Sequence, residues 1–559
     1  MEQSVSISVR DRIRAAYGVN GKIDGVYNPF VAVKCYNGTF VGQQDEGILT
    51  FRGIPYAKPP VGSRRWKRPA PAPQDDGVYE AYYFGKSPIQ TEWETEQGSY
   101  YPQGEDCLYL NVWVNRTDTT AKKPVMVFFH GGSFGWGGTA DPLYDGANFV
   151  KQNPDIILVT VGYRVGLMGF VDFSELKDGS NFADAPNLGI LDQIESLRWV
   201  QKNIAFFGGD RKNVTIFGES AGGASVSLLP IIPKANGLFR RVISESGSVA
   251  LTFSKEMCKP FTRRLIEETG IHSMAKLMAL PERELMKLNE KLNAYNNFPQ
   301  RDGRLIPVKP YEAYEAGKTA HIDMLIGTNS DESRYWVEEL GGIVPYRFSI
   351  PVKFENDMKT FDKKDRNRVR AFMHRLDGYG IWKMSEFYDE MMFRLPAVKQ
   401  AECHSEHGGK VYMYYWTEPS AKEYCGACHA VELAYVFGNL HNTIFTGERG
   451  DEALSEQVMT MWANFARTGN PSLGDLKWNR YDTRHRATMI LCKDSHMEED
   501  VLSEQRQLLF PLLRYMINPS YSDMSYNVPF VHKTAGLAAL AAVGVIGLGI
   551  GVIRMFGKK

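Results

Sequence analysis

The 559-residue sequence lacks several features that would point to particular classes of protein. Lys plus Arg and Asp plus Glu each number 65, so the formal net charge is zero and no nucleic-acid partner is indicated. The body of the chain contains no internal repeat and no low-complexity tract. Hydrophobic residues make up 43% and aromatic residues 12%, which predicts a large water-soluble chain with one extensive core.

Cysteine is scarce and irregularly spaced. The seven cysteines form no tidy disulfide framework, and an odd total favours a reducing compartment. The first 25 residues lack the apolar run of a signal peptide. We therefore expect a cytoplasmic protein, or one on the cytoplasmic face of a membrane. The sequons at Asn37, Asn115 and Asn213 then carry little weight.

The C-terminal end contains the one long hydrophobic run, 19 apolar residues at 535–553. About 20 residues span a bilayer as a helix, so we expect a membrane anchor at 534–559 after a linker at 519–533. Gly547 and Gly551 could pair two such helices into a homodimer. A helix lying on the protein surface is the alternative. More cations follow the run than precede it, which would place the body outside and conflicts with the missing signal peptide.

The most informative segment is a G-x-S-x-G pentapeptide at 218–222, centred on Ser220. It follows the β-rich run Val214–Phe217 and precedes the helix-compatible run Ala221–Leu229. A strand, a tight glycine turn and a helix are the setting of a nucleophilic serine. The bare pattern is frequent by chance, but this setting makes Ser220 the candidate nucleophile.

A serine needs a base and an acid that orients the base. In hydrolases of this kind the chain order is serine, acid, histidine. Met324–Gly327 reads as a buried strand, and the polar loop after it contains Asp331 and Glu332. Loop solvation or a helix N-cap would explain either carboxylate equally well. Eight histidines follow Glu332, so position alone does not select the base.

An oxyanion site is predicted upstream. The apolar strand Val125–Phe129 ends in His130-Gly131-Gly132-Ser133, a turn that can present consecutive amides to a negative oxygen. Each such donor contributes about 2.7–4 kcal/mol to transition-state stabilisation. An ordinary glycine-rich βα turn is the alternative reading.

The order of elements predicts an α/β fold. Strands near 125–129, 156–161 and 214–217 alternate with a helix in which Leu191 to Ile204 carry apolar residues at helical spacing. This pattern is typical of a mostly parallel central sheet with helices on both faces. The stretch 257–410 is richer in helical patterns and charge, and we expect large helical insertions there.

Cys425-Gly-Ala-Cys428-His429 matches the c-type haem attachment pattern. Haem would use His429 as a ligand and requires an exported chain, which the N-terminal sequence does not favour. No second C-x-x-C completes a zinc site. We therefore expect no metal and no cofactor, with two ordinary cysteines in this loop.

Four motifs in order resemble the type-B carboxylesterase and cholinesterase family of α/β-hydrolases. They are Phe51–Pro60, Glu105–Trp113, the turn at His130 and Phe217–Gly223. The resemblance extends from about Phe30 to Leu513. It implies an α/β-hydrolase domain at 28–518 after an N-terminal extension at 1–27.

The resemblance implies which acid and base to choose. The family's acid segment matches Gly327 to Ser333, which makes Glu332 the acid and Asp331 its neighbour, with Ser333 where glycine is usual. The family's histidine segment matches His429 to Gly438, which makes His429 the base.

It also implies the supporting residues. The oxyanion amides fall on Gly132, Ser133 and Ala221, with Ser133 replacing the third glycine of the stricter pattern. Ser246 matches a serine that the family places near the histidine, and Glu219 precedes the nucleophile. Both are expected to support the triad without reacting.

The resemblance implies hydrolysis of small to medium uncharged carboxylic esters through an acyl-enzyme. A catalytically silent neuroligin-like binding protein is one alternative, although the candidate triad is complete. A choline-ester hydrolase is another, and would need an aromatic ammonium site before Cys107. Trp93, Tyr100 and Tyr101 lie there, but Trp93 is not at the cholinesterase spacing.

Overall fold

A computed structural model describes residues 18–90, 102–115, 121–292, 297–441, 446 and 450–515. Within these ranges no helix is both long enough and apolar enough to cross a bilayer. The predicted linker at 519–533 and anchor at 534–559, with Gly547 and Gly551, lie outside the described residues. Most of the expected N-terminal extension also lies outside, as do Trp93, Tyr100 and Tyr101.

The described strands form an 11-stranded sheet, a three-stranded sheet and a two-stranded pair. In chain order they are β1 Ala32–Cys35, β2 Asn37–Val41, β3 Gln43–Asp45, β4 Ile48–Pro55, β5 Asp75–Glu80, β6 Ser87–Pro88, β7 Gln103–Gly104, β8 Tyr109–Asn115, β9 Lys123–Phe129, β10 Ile157–Val161, β11 Gly209–Glu219, β12 Arg241–Glu245, β13 Asp323–Asn329, β14 Val411–Trp416, β15 Ala487–Leu491 and β16 His496–Glu499.

The large sheet has the order β16-β15-β14-β13-β12-β11-β9-β10-β8-β4-β3. All neighbouring pairs from β15 to β10 are parallel, whereas the pairs at both edges are antiparallel. The prediction of a mostly parallel central sheet is therefore confirmed.

Both faces of the sheet are buried. In β9, Val125, Val127 and Phe129 belong to one hydrophobic cluster, whereas Met126 and Phe128 belong to a second on the opposite face. Alternate side chains of a strand point to opposite faces. A strand covered on both sides therefore reads as a continuous apolar run, as this one does.

Helices cover the two faces of the large sheet and form the insertions. Their described bounds are Ala147–Gln152, Gly166–Gly169, Leu188–Asn203, Ala221–Leu228, Lys255–Thr269, Met274–Met278, Glu282–Leu292, Pro310–Glu315, Tyr335–Glu339, Ile343–Thr360, Lys363–Arg375, Gly380–Tyr388, Leu395–Glu406, Leu433–Phe437, Glu452–Thr468 and Ser503–Leu509, with a π-helical turn at Asp389–Arg394. The helix expected to end at Ile204 ends one residue earlier, because a 3₁₀ turn, Ile204–Phe207, leads into Gly208 at φ 86°.

Many of these helices lie between β12 and β14, in the stretch predicted to carry insertions. Several of them share a third hydrophobic cluster that includes Tyr346, Phe372 and Phe387. The insertions thus have a core of their own beside the two that flank the sheet.

The carboxyl ends of the central strands lie along one edge of the sheet. The register aligns Gly218 of β11 with Phe129 of β9, and Glu219 with Glu245 of β12. Glu245 is in turn aligned with Gly327 of β13. In open α/β sheets ligands bind at this edge, so the residues that follow these strands are the first place to look for a site.

Candidate active site

Ser220 occupies the sharp turn between β11 and the helix Ala221–Leu228. Its φ of 57° and ψ of −116° are a conformation that L-residues rarely adopt. The turn is anchored because the Ser220 amide donates to the carbonyl oxygen of Glu245 at 2.8 Å. Ser220 is 9% exposed and lines a cleft.

The glycines around Ser220 are required by close approach to β9. A Cβ built on Gly218 or on Gly222 would collide with the carbonyl oxygen of Phe129. Any larger residue would push the turn away from the neighbouring strand. The G-x-S-x-G spacing therefore reflects packing between two backbones.

Glu332 and His429 lie in contact. Glu332 Oε2 is 2.6 Å from His429 Nδ1, and the amide of His429 donates to the backbone oxygen of Glu332 at 3.2 Å. Glu332 is fully buried. Its Oε1 accepts from Ser246 Oγ at 2.6 Å and from the Asn329 amide at 2.8 Å. Both carboxylate oxygens are thus occupied, which fixes the carboxylate and, through it, the imidazole.

Asp331, the other candidate acid, points elsewhere. Its Oδ1 is 2.7 Å from Arg334 Nη2, and its Oδ2 accepts from the Ala427 amide at 3.0 Å. Asp331 therefore ties down the loop that precedes His429 and makes no contact with the imidazole.

The second imidazole nitrogen faces the cleft beside the serine. His429 Nε2 lies 3.0 Å from Glu219 Oε1, and the described contacts include no hydrogen bond between Nε2 and Ser220 Oγ. The rings of Tyr335 and Phe393 pack against the imidazole, with centroids 5.8 and 4.8 Å away. The imidazole is thus surrounded by Glu332, Tyr335 and Phe393, and His429 lines the same cleft as Ser220.

The electrostatics of the site favour a protonated imidazole. Burial opposes the charge, but Glu219 and Glu332 outweigh it and raise the pKa of His429 to about 10. Burial also raises the pKa of Glu219 to about 7. Because a general base must be neutral, the active form of His429 grows as the pH rises.

The predicted oxyanion turn folds back on itself. The Gly132 carbonyl accepts from the amides of Gly135 and Trp136 at 2.8 and 3.0 Å. Gly132 has φ 95°, and a Cβ there would collide with the Trp136 carbonyl. Ala221 is the first residue of its helix, where amides have no intrahelical acceptor. Gly132, Ser133 and Ser220 line one cleft.

This cleft, together with the solvent at its mouth, occupies about 800 Å³. It is lined by Gly131, Gly132, Ser133, Trp136, Gly137, Asp141, Tyr144, Glu219, Ser220, Leu251, Phe298, Tyr335, Trp336, Glu339, Phe393, His429 and Ala430. Trp136, in the turn that follows His130, is one of these lining residues. Most of the aromatic and acidic lining escaped sequence analysis because it comes from separate loops and helices and forms no motif.

Two more buried carboxyl groups, those of Glu245 and Glu432, lie near the candidate site. Glu245 Oε1 accepts from Trp462 Nε1 at 2.9 Å, and burial raises the pKa of Glu245 to about 8. Glu432 Oε2 accepts from Asn329 Nδ2 at 2.6 Å, and burial raises its pKa as well. Glu432 lies in the matched segment His429 to Gly438, and Glu245 directly precedes Ser246; these positions were the signal that could have found them.

The C-x-x-C-H segment is part of the same region. Cys425 and Cys428 are buried, and no disulfide is present among the described residues. His429 Nδ1 contacts Glu332, so the imidazole already has a partner. The described part of the chain also holds no group of three or more His, Cys, Asp or Glu arranged for a metal ion.

Comparison with known proteins decides the family. The sequence profile of the carboxylesterase family matches residues 28–509. The chain is 36% identical to the para-nitrobenzyl esterase of Bacillus subtilis (strain 168), covering 85% of this chain and 97% of that protein. The chain belongs to the carboxylesterase family.

Other relatives agree. This carboxylesterase is 31% identical to the cholinesterase of Mus musculus, over 76% of each chain. The crystal structure of the Geobacillus stearothermophilus carboxylesterase EST55 at pH 6.2 superposes with a TM-score of 0.74 at 33% identity. That match covers 86% of this chain and 99% of the other. The α/β-hydrolase fold and the assignment as a serine carboxylesterase follow.

Proposed function

We propose that this carboxylesterase hydrolyses esters through a triad of Ser220, His429 and Glu332. The observation that carries the proposal is the 2.6 Å contact between His429 Nδ1 and buried Glu332, with Nε2 facing the cleft that Ser220 lines. A third group that orients the base is the geometric signature of an activated serine.

The first half-reaction acylates Ser220. The Ser220 oxygen attacks the ester carbonyl while His429 Nε2 takes its proton, and Glu332 stabilises the imidazolium that forms. The carbonyl oxygen becomes an oxyanion, which the amides of Gly132, Ser133 and Ala221 would stabilise. The imidazolium then protonates the leaving alcohol as the carbon–oxygen bond breaks.

The second half-reaction frees the acid. His429 takes a proton from water, the resulting hydroxide attacks the acyl carbon, and Ser220 leaves with the proton returned by the imidazolium. Ser246 acts indirectly, because its hydrogen bond holds Glu332 in place. Glu219 lies 3.0 Å from Nε2 and tunes the charge on the imidazole.

The alternatives differ in support. A silent binding member would have lost its nucleophile, whereas Ser220, Glu332 and His429 are all present. Ser220 and His429 line one cleft, and Glu332 contacts His429 from behind it. A choline site in the loop before Cys107 stays a prediction, because Trp93, Tyr100 and Tyr101 lie outside the described residues. The cytoplasmic location, the membrane anchor and the homodimer also stay predictions.

The test is hydrolysis of para-nitrophenyl esters, from acetate to palmitate, by the full chain. Ser220→Ala should lower kcat/KM by about 10⁶-fold, as loss of a catalytic serine does elsewhere. Circular dichroism would verify that the variant is folded. A folded variant that retains more than a few per cent of wild-type turnover would contradict the proposal.

A further inference from the structure

A short 3₁₀ turn carries the proposed acid of the triad. The turn spans Glu332–Arg334, and both Glu332 and Ser333 are completely buried. Amides at the start of a helical turn have no acceptor within that turn. Asp331, the residue before the turn, makes no side-chain hydrogen bond that would cap it. A buried amide without an acceptor is costly, so the Ser333 amide needs a partner from elsewhere in the fold.

Asp389 is that partner. Its Oδ1 accepts from the Ser333 amide at 2.7 Å. Asp389 is itself buried, with 5% of the residue exposed. The Ser333 hydroxyl is also held, because its Oγ lies 2.7 Å from Ser385 Oγ and donates to the Ser385 carbonyl oxygen at 3.0 Å. The residue that follows the proposed acid is thus fixed by contacts from the insertions.

The π-helical turn at Asp389–Arg394 also reaches the proposed base. Its residue Phe393 packs against the His429 imidazole, with ring centroids 4.8 Å apart. The turn is braced because Arg394 donates to both carboxylate oxygens of Glu390, at 2.5 and 2.6 Å, and both side chains are buried. π-helical turns are rare and occur frequently at functional sites. One turn of the insertions therefore contacts both the residue beside the acid and the ring of the base.

We propose that Asp389 is a positioning residue for the triad, because its hydrogen bond from the Ser333 amide holds the 3₁₀ turn with Glu332 facing His429 Nδ1. The inference rests on the proposed function, in which Glu332 orients His429. Without Asp389 the buried amide would lack an acceptor, and the turn would relax. Since Glu332 Oε2 lies 2.6 Å from Nδ1, a displacement of about 1 Å is enough to lose that contact.

The carboxyl group of Asp389 serves this role as an acceptor. Burial raises its pKa well above the usual range, and the nearby carboxylates of Asp331 and Glu332 raise it further, whereas the hydrogen bonds from Ser333 oppose the shift. The shift favours the uncharged carboxyl. An asparagine side chain has the same shape and keeps an acceptor oxygen, so it is a close substitute.

Variants at position 389 test the hydrogen bond itself. Asp389→Asn should leave kcat on para-nitrophenyl acetate within about threefold of wild type. Asp389→Ala should lower kcat by about 10²-fold, the size of effect that a misplaced catalytic group produces. KM should change little, because Asp389 is not one of the described residues that line the cleft. A folded Asp389→Ala with wild-type kcat, or equal losses in the two variants, would overturn the inference.

Two further variants guard against a purely structural effect. Asp389→Leu fills the same space without an acceptor, and it replaces Asp389→Ala in the comparison if that variant does not fold. Asp172→Ala is the matched control. Asp172 is also buried and accepts from the Ser174 amide at the start of a 3₁₀ turn, but its described hydrogen bonds involve no triad residue. Asp172→Ala should lower the Tm and leave kcat within about twofold, and a loss of kcat as large as that of Asp389→Ala would overturn the inference.

A double-mutant cycle tests whether Asp389 acts through Glu332. In the Glu332→Gln background the orienting carboxylate is already absent, so Asp389→Ala should lower kcat/KM by less than about threefold. A side chain that only stabilised the fold would lower kcat/KM by the same factor in both backgrounds. Equal factors would therefore overturn the inference.

The outcomes separate this inference from the proposed function. If Glu332→Gln alone leaves turnover unchanged, the proposed triad fails, and this inference fails with it. If Glu332→Gln removes most turnover while Asp389→Ala keeps the wild-type kcat, the inference alone fails.

Discussion

The sheet edge and the helical wall meet in one cleft but are built differently. At the sheet edge, Ser220 and Ser246 directly follow strands paired in a continuous parallel ladder, so backbone hydrogen bonds set their positions. The wall is formed by side chains of Tyr335–Glu339 and Asp389–Arg394, which lie in insertions between β13 and β14. Backbone pairing therefore positions the reacting residues, whereas the wall depends on how side chains of the insertions pack.

We expect the largest effect from replacing Glu332, the proposed acid of the triad at the sheet edge. Glu332→Gln should lower kcat/KM by about 10⁴-fold, because an amide can hold His429 in the wrong tautomer and leaves the imidazolium unstabilised. Asp331→Asn weakens a partly exposed ion pair to Arg334, and its amide oxygen can still accept from the Ala427 amide, so we expect a loss below about fivefold. Initial rates on para-nitrophenyl acetate measure both. Near-equal losses at the two positions would contradict the choice of acid.

We expect a smaller effect from Glu219, which lies where the sheet edge meets the helical wall. This residue ends β11, yet its carboxylate faces the cleft, and it helps to raise the pKa of His429. In wild type the neutral base accumulates as the pH rises, so kcat/KM for a neutral ester should rise along an alkaline limb.

Glu219→Gln removes one of the carboxylates that favour the imidazolium. The pKa of His429 should fall, and the limb of kcat/KM should move to lower pH by about one pH unit. Subtracting the rate of Ser220→Ala corrects for spontaneous hydrolysis, and Asp331→Asn is the matched control. A limb that stays in place would show that Glu219 does not set the ionisation of the base.

The sheet edge could largely be predicted from sequence because it is local. Ser220 lies between a strand and a helix that its neighbours specify, and Gly218 and Gly222 record the close approach to Phe129. The choice between Asp331 and Glu332 was different. Both carboxylates occupy the same polar loop, and Glu332 is distinguished by its contacts with Ser246 and His429, which are far away in sequence.

The wall could not be predicted because its residues are distant in sequence. The insertions must pack against the sheet before several lining residues come together, namely Asp141, Tyr144, Tyr335 and Phe393. No spacing in the sequence indicates that they line one cleft. Glu338 and Glu339 are equivalent as sequence. Packing alone places one beside Lys422 and the other at the cleft.

The most direct test of the central claim is to trap the nucleophile. Diethyl para-nitrophenyl phosphate reacts with an activated serine and leaves a stable diethylphosphoryl group on its oxygen. We predict one such group per chain by intact-mass spectrometry, located on Ser220 by peptide mapping, and none in folded Ser220→Ala. A label on another residue, or an enzyme that hydrolyses esters without being labelled, would contradict the account.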